Sequence, residues 1–241
     1  MNTMSASIEQ LTCVFPAFNE EENIGPLLDE ALSTLGDFAP AFEIIVVDDG
    51  SRDRTAEIVR SYGERHPQVR LIAHPTNLGY GHAVRSGLSN VRGDAAVFID
   101  GDRQFKIADV SGLLAKLNGA QVVIGRRIKR ADPWHRLVVA RVYHFVLQQI
   151  FGVLVHDVDC GYKLFSREVL EKIVPQLESR SAFISPELVI RAKLSGFEVA
   201  EAPVPHYPRT AGRPKGATPK VIARTLGEIW RLRKSLGRGR P

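Results

Sequence analysis

Two carboxylates one residue apart, Asp100 and Asp102, close a short apolar run, Ala95-Ala96-Val97-Phe98-Ile99, and Gln104 follows at the same spacing. A continuous apolar run of this length reads as a strand buried on both faces. Its end then lies at the edge of a sheet, where open α/β folds bind ligands. If the chain stays extended beyond Ile99, Asp100 and Asp102 point to the same side. Carboxylates so placed repel one another unless a cation joins them. Hard cations such as Mg²⁺ or Mn²⁺ take carboxylate oxygens together with phosphate oxygens of a bound ligand. Gln104 adds a further oxygen. The alternative is a polar turn bent at Gly101.

Other acidic residues follow apolar runs in the same way. Glu20 comes after Leu11 to Phe15, and Asp48 and Asp49 come after Phe42 to Val47. Any one of them alone reads as solvated surface. In a parallel sheet these strand ends share one edge, and a set gathered there reads as a site. Such carboxylates can accept hydrogen bonds from a nucleobase or from ribose hydroxyls. Gly79-Tyr80-Gly81 has Val84 where a dinucleotide fingerprint needs its third glycine, and there is no phosphate-binding Gly-x-x-x-x-Gly-Lys-Ser/Thr.

The elements that must position these residues alternate. Strands are expected at Leu11–Phe15, Phe42–Val47, Val69–Ala73, Ala95–Ile99, Gln121–Ile124, after Tyr162 and at Phe197–Ala202. Helices are expected between them, the first capped by Asn19 ahead of an acidic first turn. This alternation predicts a doubly wound, mainly parallel α/β sheet. Two further helices are amphipathic. Arg136 to Val155 carries Val142, Phe145, Val146, Gln149 and Ile150 on one face; Lys220 to Ser235 carries Leu226, Ile229, Trp230 and Leu232. We divide the chain into a body, residues 1–216, and a basic helical C-terminal appendage, residues 217–241.

Composition bounds the partners. The 241 residues are 44% hydrophobic with a net charge of +5, enough for one substantial core. From Arg209 to Pro241 the net charge is +9, so the rest carries −4. That basic end suits an anionic surface, either nucleic acid or anionic lipid. It lacks the interleaved aromatics of a base-stacking platform, having Trp230 alone, which argues against nucleic acid. Cys13 and Cys160 form no metal-binding pattern and read as reduced thiols of a cytoplasmic protein. Met1 to Gln10 has no secretory signature, and the apolar run Leu137 to Val155 is broken by Arg141, His144, Gln148 and Gln149.

Five motifs occur in order: Pro16-Ala17-Phe18-Asn19-Glu20, Val47-Asp48-Asp49-Gly50-Ser51, Asn77-Leu78-Gly79, Asp100-Gly101-Asp102-x-Gln104 and Arg209-x-x-Gly212-x-x-Lys215. Together they resemble the inverting glycosyltransferases of family 2, which have the GT-A fold. Asp157-Val158-Asp159-Cys160-Gly161 resembles the dolichyl- and polyprenyl-phosphate sugar synthases within it. The resemblance implies that Pro16, Phe18, Glu20, Asp48 and Asp49 line the nucleoside pocket of a GDP- or UDP-sugar. It implies that Asn77 and Gly79 shape the wall beside the donor. Asp100, Asp102 and Gln104, with Gly101 at the bend, would hold Mg²⁺ or Mn²⁺ on the diphosphate. Arg127, Arg209 and Lys215 would bind phosphates, the last two on a loop with Gly212 and Gly216 that closes over the donor. Pro214 and Ala140 stand where the family often has serine.

The expected reaction is transfer of the sugar to a polyprenyl phosphate. Metal and arginine stabilise the charge that grows on the leaving diphosphate. A lipid phosphate is already ionised; a soluble hydroxyl acceptor, the alternative, needs a general base, for which Asp157 or Asp159 is the candidate. A third reading is a non-catalytic binding protein using its basic tail. The lipid reading places the protein peripherally on the cytoplasmic membrane face through its basic amphipathic helices, with a membrane partner subunit.

Overall fold

The computed structural model describes residues 8–128, 134–152, 155–208 and 219–238. The loop carrying Arg209, Gly212, Lys215 and Gly216 lies outside them, as does Val153.

The chain runs β1 (Gln10–Ala17), α1 (Glu21–Thr34), β2 (Ala41–Asp48), α2 (Thr55–Arg65), β3 (Val69–Ala73), α3 (Tyr80–Ser89), β4 (Ala95–Ile99), α4 (Val110–Leu117), β5 (Val122–Ile128), α5 (Trp134–Phe151), β6 (Tyr162–Ser166), α6 (Arg167–Ile173), α7 (Ile184–Leu194), β7 (Val199–Pro205) and α8 (Pro219–Arg238). The strands form one sheet in the order β3-β2-β1-β4-β6-β5-β7. Pairings β1–β2, β1–β4, β2–β3 and β5–β7 are parallel; β6 runs antiparallel to both its neighbours, β4 and β5. The sheet is therefore mainly parallel, with one reversed strand.

This order fixes where a ligand goes. From β1 the chain steps outward to β2 and then β3, so right-handed crossovers put α1 and α2 on one face. From β3 it returns past β2 and β1 to β4, which puts α3 on the other. The strand order reverses between β1 and β4, and a crevice opens beyond their carboxyl ends. The ends of β2, β5 and β7 and the start of the reversed β6 share that edge.

All five residues of β4 are buried, as a strand covered on both faces requires. Phe15, Phe98, Tyr162, Phe165 and Phe183 are among the largest side chains of the core, and Ile229 and Leu232 of α8 join it. On α5, Leu147 and Phe151 are buried, whereas Val142 and Phe145, on the face expected to be apolar, point outward at 59% and 61% exposure.

Two local expectations are corrected. Asn19 does not cap α1: the N-cap is Glu20, and Asn19 adopts φ 53°, in the left-handed region. Its Oδ1 instead accepts the Arg52 N–H at 2.8 Å and its own N–H donates to Ser51 Oγ at 2.8 Å. A short side chain that tolerates this conformation thus ties the β1 loop to the β2 loop. The chain also does not stay extended after Ile99; it turns at Gly101–Asp102, and Arg103 takes φ 58°.

Candidate functional site

Four strand ends and one turn surround the crevice. At the end of β1, Pro16 is buried in register with Val47 of β2, and Phe18 and Glu20 are partly exposed just beyond. The Glu20 carboxylate accepts the Asn23 side-chain amide at 2.7 Å, and its backbone N–H donates to Thr55 Oγ1 at 2.9 Å. At the end of β2, Asp48 is buried and accepts the Ser51 N–H at 3.2 Å. Asp49 is used differently. Its two oxygens accept the N–H groups of Leu78 and Gly79 at 2.9 and 2.8 Å, and His74 Nδ1 lies 2.8 Å from Oδ1. Asp49 thus holds the Asn77–Gly79 loop in place and acts through it; Asn77 itself is exposed.

At the end of β4, Gly101 lies so close to β1 that a Cβ there would come within 2.9 Å of the Pro16 carbonyl oxygen. Asp100 is half-buried. Its Oδ1 accepts the Tyr80 hydroxyl at 2.5 Å, and its backbone N–H donates to Gly161 O at 3.0 Å. A Cβ on Gly161 would fall 1.7 Å from Asp100 Oδ2, so only glycine leaves room for this carboxylate. Burial and the neighbouring Asp102 charge push the Asp100 carboxyl up to about 7, against the pull of Tyr80, Lys163 and Arg127. Asp102 Oδ1 accepts the Gln104 N–H at 3.1 Å. Gln104 bridges to the end of β7: its Nε2 donates to Tyr207 O at 3.1 Å and its O accepts the Tyr207 N–H at 3.0 Å.

Across the crevice, at the end of β5, Arg127 and Asp157 form a two-pronged pair. Arg127 Nε and Nη2 each donate at 2.7 Å to a different Asp157 oxygen, and the Arg127 N–H adds a third bond at 3.2 Å. Burial opposes the guanidinium charge, but the Asp157 pairing outweighs it and raises the Arg127 pKa. The side chains expected to bind phosphate and to act as a base are therefore bonded to each other. Asp159 is about a third exposed and lies 3.6 Å from His144 Nε2 of α5.

Sequence reasoning passed over two residues here. Tyr80 lies in the Gly79-Tyr80-Gly81 stretch, tested only as a dinucleotide motif, and starts α3 from where it reaches Asp100. Lys163, two residues beyond Gly161, is wholly buried, and its ammonium donates to Cys160 O and Ser185 Oγ. Its place directly after the Asp157–Gly161 motif was the signal.

Residues 12–174 match the family model described as "Glycosyl transferase family 2". The chain belongs to glycosyl transferase family 2. Among curated relatives in this family, it is 37% identical over 211 residues to a dolichyl-phosphate beta-glucosyltransferase of Trichomonas vaginalis, covering 80% of this chain and 62% of the relative. It is 31% identical over 216 residues to the Homo sapiens dolichyl-phosphate beta-glucosyltransferase, covering 81% and 67%. It is 29% identical over 219 residues to an undecaprenyl-phosphate 4-deoxy-4-formamido-L-arabinose transferase of Edwardsiella ictaluri, covering 90% and 66%. The chain thus spans under two thirds of the length of the Trichomonas vaginalis relative. Its fold is GT-A. Glucosyl-3-phosphoglycerate synthase of Mycobacterium tuberculosis, solved with phosphoglyceric acid, superposes with a TM-score of 0.71 at 25% identity, covering 92% of this chain and 80% of that one. The same enzyme solved with Mn²⁺, UDP-glucose and phosphoglyceric acid gives 0.69 at 23% identity, with the same coverage.

The donor set of this family 2 chain fits a divalent cation that arrives with a ligand. Among the described residues, no group of three or more His, Cys, Asp or Glu side chains is placed to hold a metal by itself. Burial and the Asp102 charge raise the cost of ionising Asp100, which a cation relieves, and Gln104 donates through Nε2, so its Oε1 is the atom that could serve as an oxygen ligand. Mg²⁺-type sites are commonly one or two carboxylates completed by substrate phosphates.

Proposed function

We propose that this chain is an inverting glycosyltransferase that moves a sugar from a nucleoside-diphosphate sugar to a polyprenyl phosphate. One observation supports the reading most: Asp48, Asp100, Asp102 and Arg127 stand at the ends of three strands on one edge of the sheet, beside the β1/β4 reversal. The named relatives that act on dolichyl and undecaprenyl phosphate support the same acceptor class. Pro16, Phe18, Glu20 and Asp48 line the nucleoside end of the crevice, and Asp49 fixes the Asn77–Gly79 wall. Asp100, Asp102 and Gln104 would hold Mg²⁺ or Mn²⁺, which when bound would supply positive charge for the leaving diphosphate. Arg127, Arg209 and Lys215 serve the phosphates of donor and acceptor.

The acceptor phosphate oxygen attacks the anomeric carbon from the face opposite the diphosphate. The bond to the diphosphate oxygen breaks, and its electron pair leaves with the nucleoside diphosphate. No proton needs to be removed from an ionised phosphate. The commitment of Asp157 to Arg127 favours this acceptor over a hydroxyl, because a carboxylate bonded on both oxygens to a guanidinium is a poor base.

The test is a panel of GDP- and UDP-sugars with Mg²⁺ or Mn²⁺ and a short polyprenyl phosphate, set against the free polyprenol and soluble sugars. Transfer to the lipid phosphate, lost in Asp102→Asn by about 100-fold or more with its melting temperature unchanged, is expected. Transfer to hydroxyl acceptors alone, or full activity of Asp102→Asn at saturating metal, overturns the reading.

A further inference from the structure

Lys163 is charged, wholly buried and so far without a function. It sits at the centre of the reversed strand β6, in register with Phe98 of β4 on one side and Ile124 of β5 on the other. Burying an ammonium costs several kcal/mol unless it is well bonded. Here its bonds go to the turn that begins the strand. The ammonium donates to Cys160 O and to Ser185 Oγ of α7, and Ser185 Oγ donates to Val158 O at 3.3 Å. Asp157, Asp159 and Asp100 are the carboxylates that act on it electrostatically, each favouring its charged form against the burial that lowers its pKa.

That turn is what both halves of the crevice lean on. Asp157, at one end, takes three bonds from Arg127. Gly161, at the other, accepts the Asp100 N–H and has its Cα against the Asp100 carboxylate. The turn thus touches both sides: Arg127 through Asp157, and Asp100 through Gly161, where a Cβ would fall 1.7 Å from Oδ2.

We propose that Lys163 is a positioning residue for sugar transfer: from beneath the Asp157–Gly161 turn it sets, at once, the placement of Arg127 and of Asp100. The inference rests on the transferase reading, and it predicts a kinetic effect that a purely structural lysine would not have. Lys163→Met keeps most of the side chain's length and removes the charge. Removing the ammonium alone leaves the Cys160 carbonyl and the Ser185 hydroxyl without this donor, so some loss of melting temperature is expected and activity is read per folded molecule. Ser185→Ala keeps the ammonium and removes one of its two bonds.

The full chain is measured as wild type and both variants, by thermal melting, by amide hydrogen exchange of the 156–162 segment, and by turnover with the donor and acceptor found in the panel above. The expected result for Lys163→Met is faster exchange in 156–162, unchanged exchange in β1 to β3, and a kcat about 30-fold or more below wild type per folded molecule. Ser185→Ala is expected to lose about 3- to 10-fold in kcat. Wild-type exchange of 156–162 in Lys163→Met overturns the positioning role even if no transfer is found for the wild type, so the two readings fail separately. Turnover within threefold of wild type per folded molecule also overturns it. If Lys163→Met fails to fold, full activity of Ser185→Ala together with wild-type exchange of 156–162 overturns it; loss of activity with intact melting supports it.

Discussion

Asp100 behaves as a carboxyl held ready for a positive partner. Tyr80 donates to one of its oxygens, Gly161 leaves room for the other, and Asp102 stands two residues away. In the folded chain it keeps its proton to about pH 7, against an ordinary value of 3.8. Between those values folding takes up a proton, so this group's contribution to stability falls as pH rises from about 4 to 7. In chelator-containing buffer, Asp100→Asn, which cannot ionise, is expected to flatten the decline in melting temperature over that window. A wild-type curve that rises steadily through pH 7 and is unchanged in the variant contradicts this account of Asp100. The same residue-scale logic separates Asp48 from Asp49, adjacent in sequence. Asp49 is spent on the Leu78 and Gly79 N–H groups, whereas the Asp48 carboxylate accepts the local Ser51 N–H.

At the scale of elements, α8 is bound to the body through a buried carboxylate. Glu228 is 3% exposed; it accepts the Arg180 N–H at 3.1 Å and the Ser181 hydroxyl. The Arg180 carbonyl in turn accepts the Gly81 N–H at 3.1 Å, at the start of α3, next to the Asn77–Gly79 loop that Asp49 holds. Helix α8 therefore reaches the Asn77–Gly79 loop through the 179–181 loop. Buried Glu187 of α7 holds that loop from the other side, accepting the Ser179 N–H at 2.8 Å and Arg191 Nε at 2.7 Å. Glu228→Ala leaves the Arg180 N–H and Ser181 hydroxyl without this acceptor. It is expected to cost about 1–3 kcal/mol, seen as a lower melting temperature, and to speed amide exchange at 79–81 and 179–181. A loss of stability with no change at 79–81 would show that α8 and the donor wall are uncoupled.

On the whole molecule, exposed apolar side chains among the described residues of the two amphipathic helices include Val142 and Phe145 on α5 and Leu226 and Trp230 on α8, the last 73% exposed. No described helix is long and apolar enough to cross a membrane. In the sequence, the last 33 residues carry a net charge of +9. We propose that these faces meet anionic lipid, where a polyprenyl phosphate is presented with its tail still in the bilayer. A membrane partner subunit would use the same faces. Co-sedimentation is expected with anionic vesicles at low salt, with less at high salt, less with neutral vesicles, and less for Trp230→Glu. No binding to anionic vesicles at low salt removes this part of the reading.

The sequence by itself determined the strands, the order of the motifs and, for the motifs that end β1, β2 and β4, the edge they share. Burial patterns and turn residues are local, and β4 could be read from five apolar letters and the Asp that ends them. The shape of the Asp100–Asp102 segment was not legible, because the turn at Gly101 is set by the approach of Pro16, 85 residues away in sequence. Asn19 looked like a cap because its type suits one, but its Oδ1 found the β2 loop instead. The pairing of Arg127 with Asp157 and the burial of Lys163 under the Asp157–Gly161 turn arise only when reversed β6 is placed between β4 and β5. Local pattern fixes which residues reach the sheet edge. Only the sheet's order decides which charges then face each other, because their partners come from distant strands and no period in the sequence records that distance.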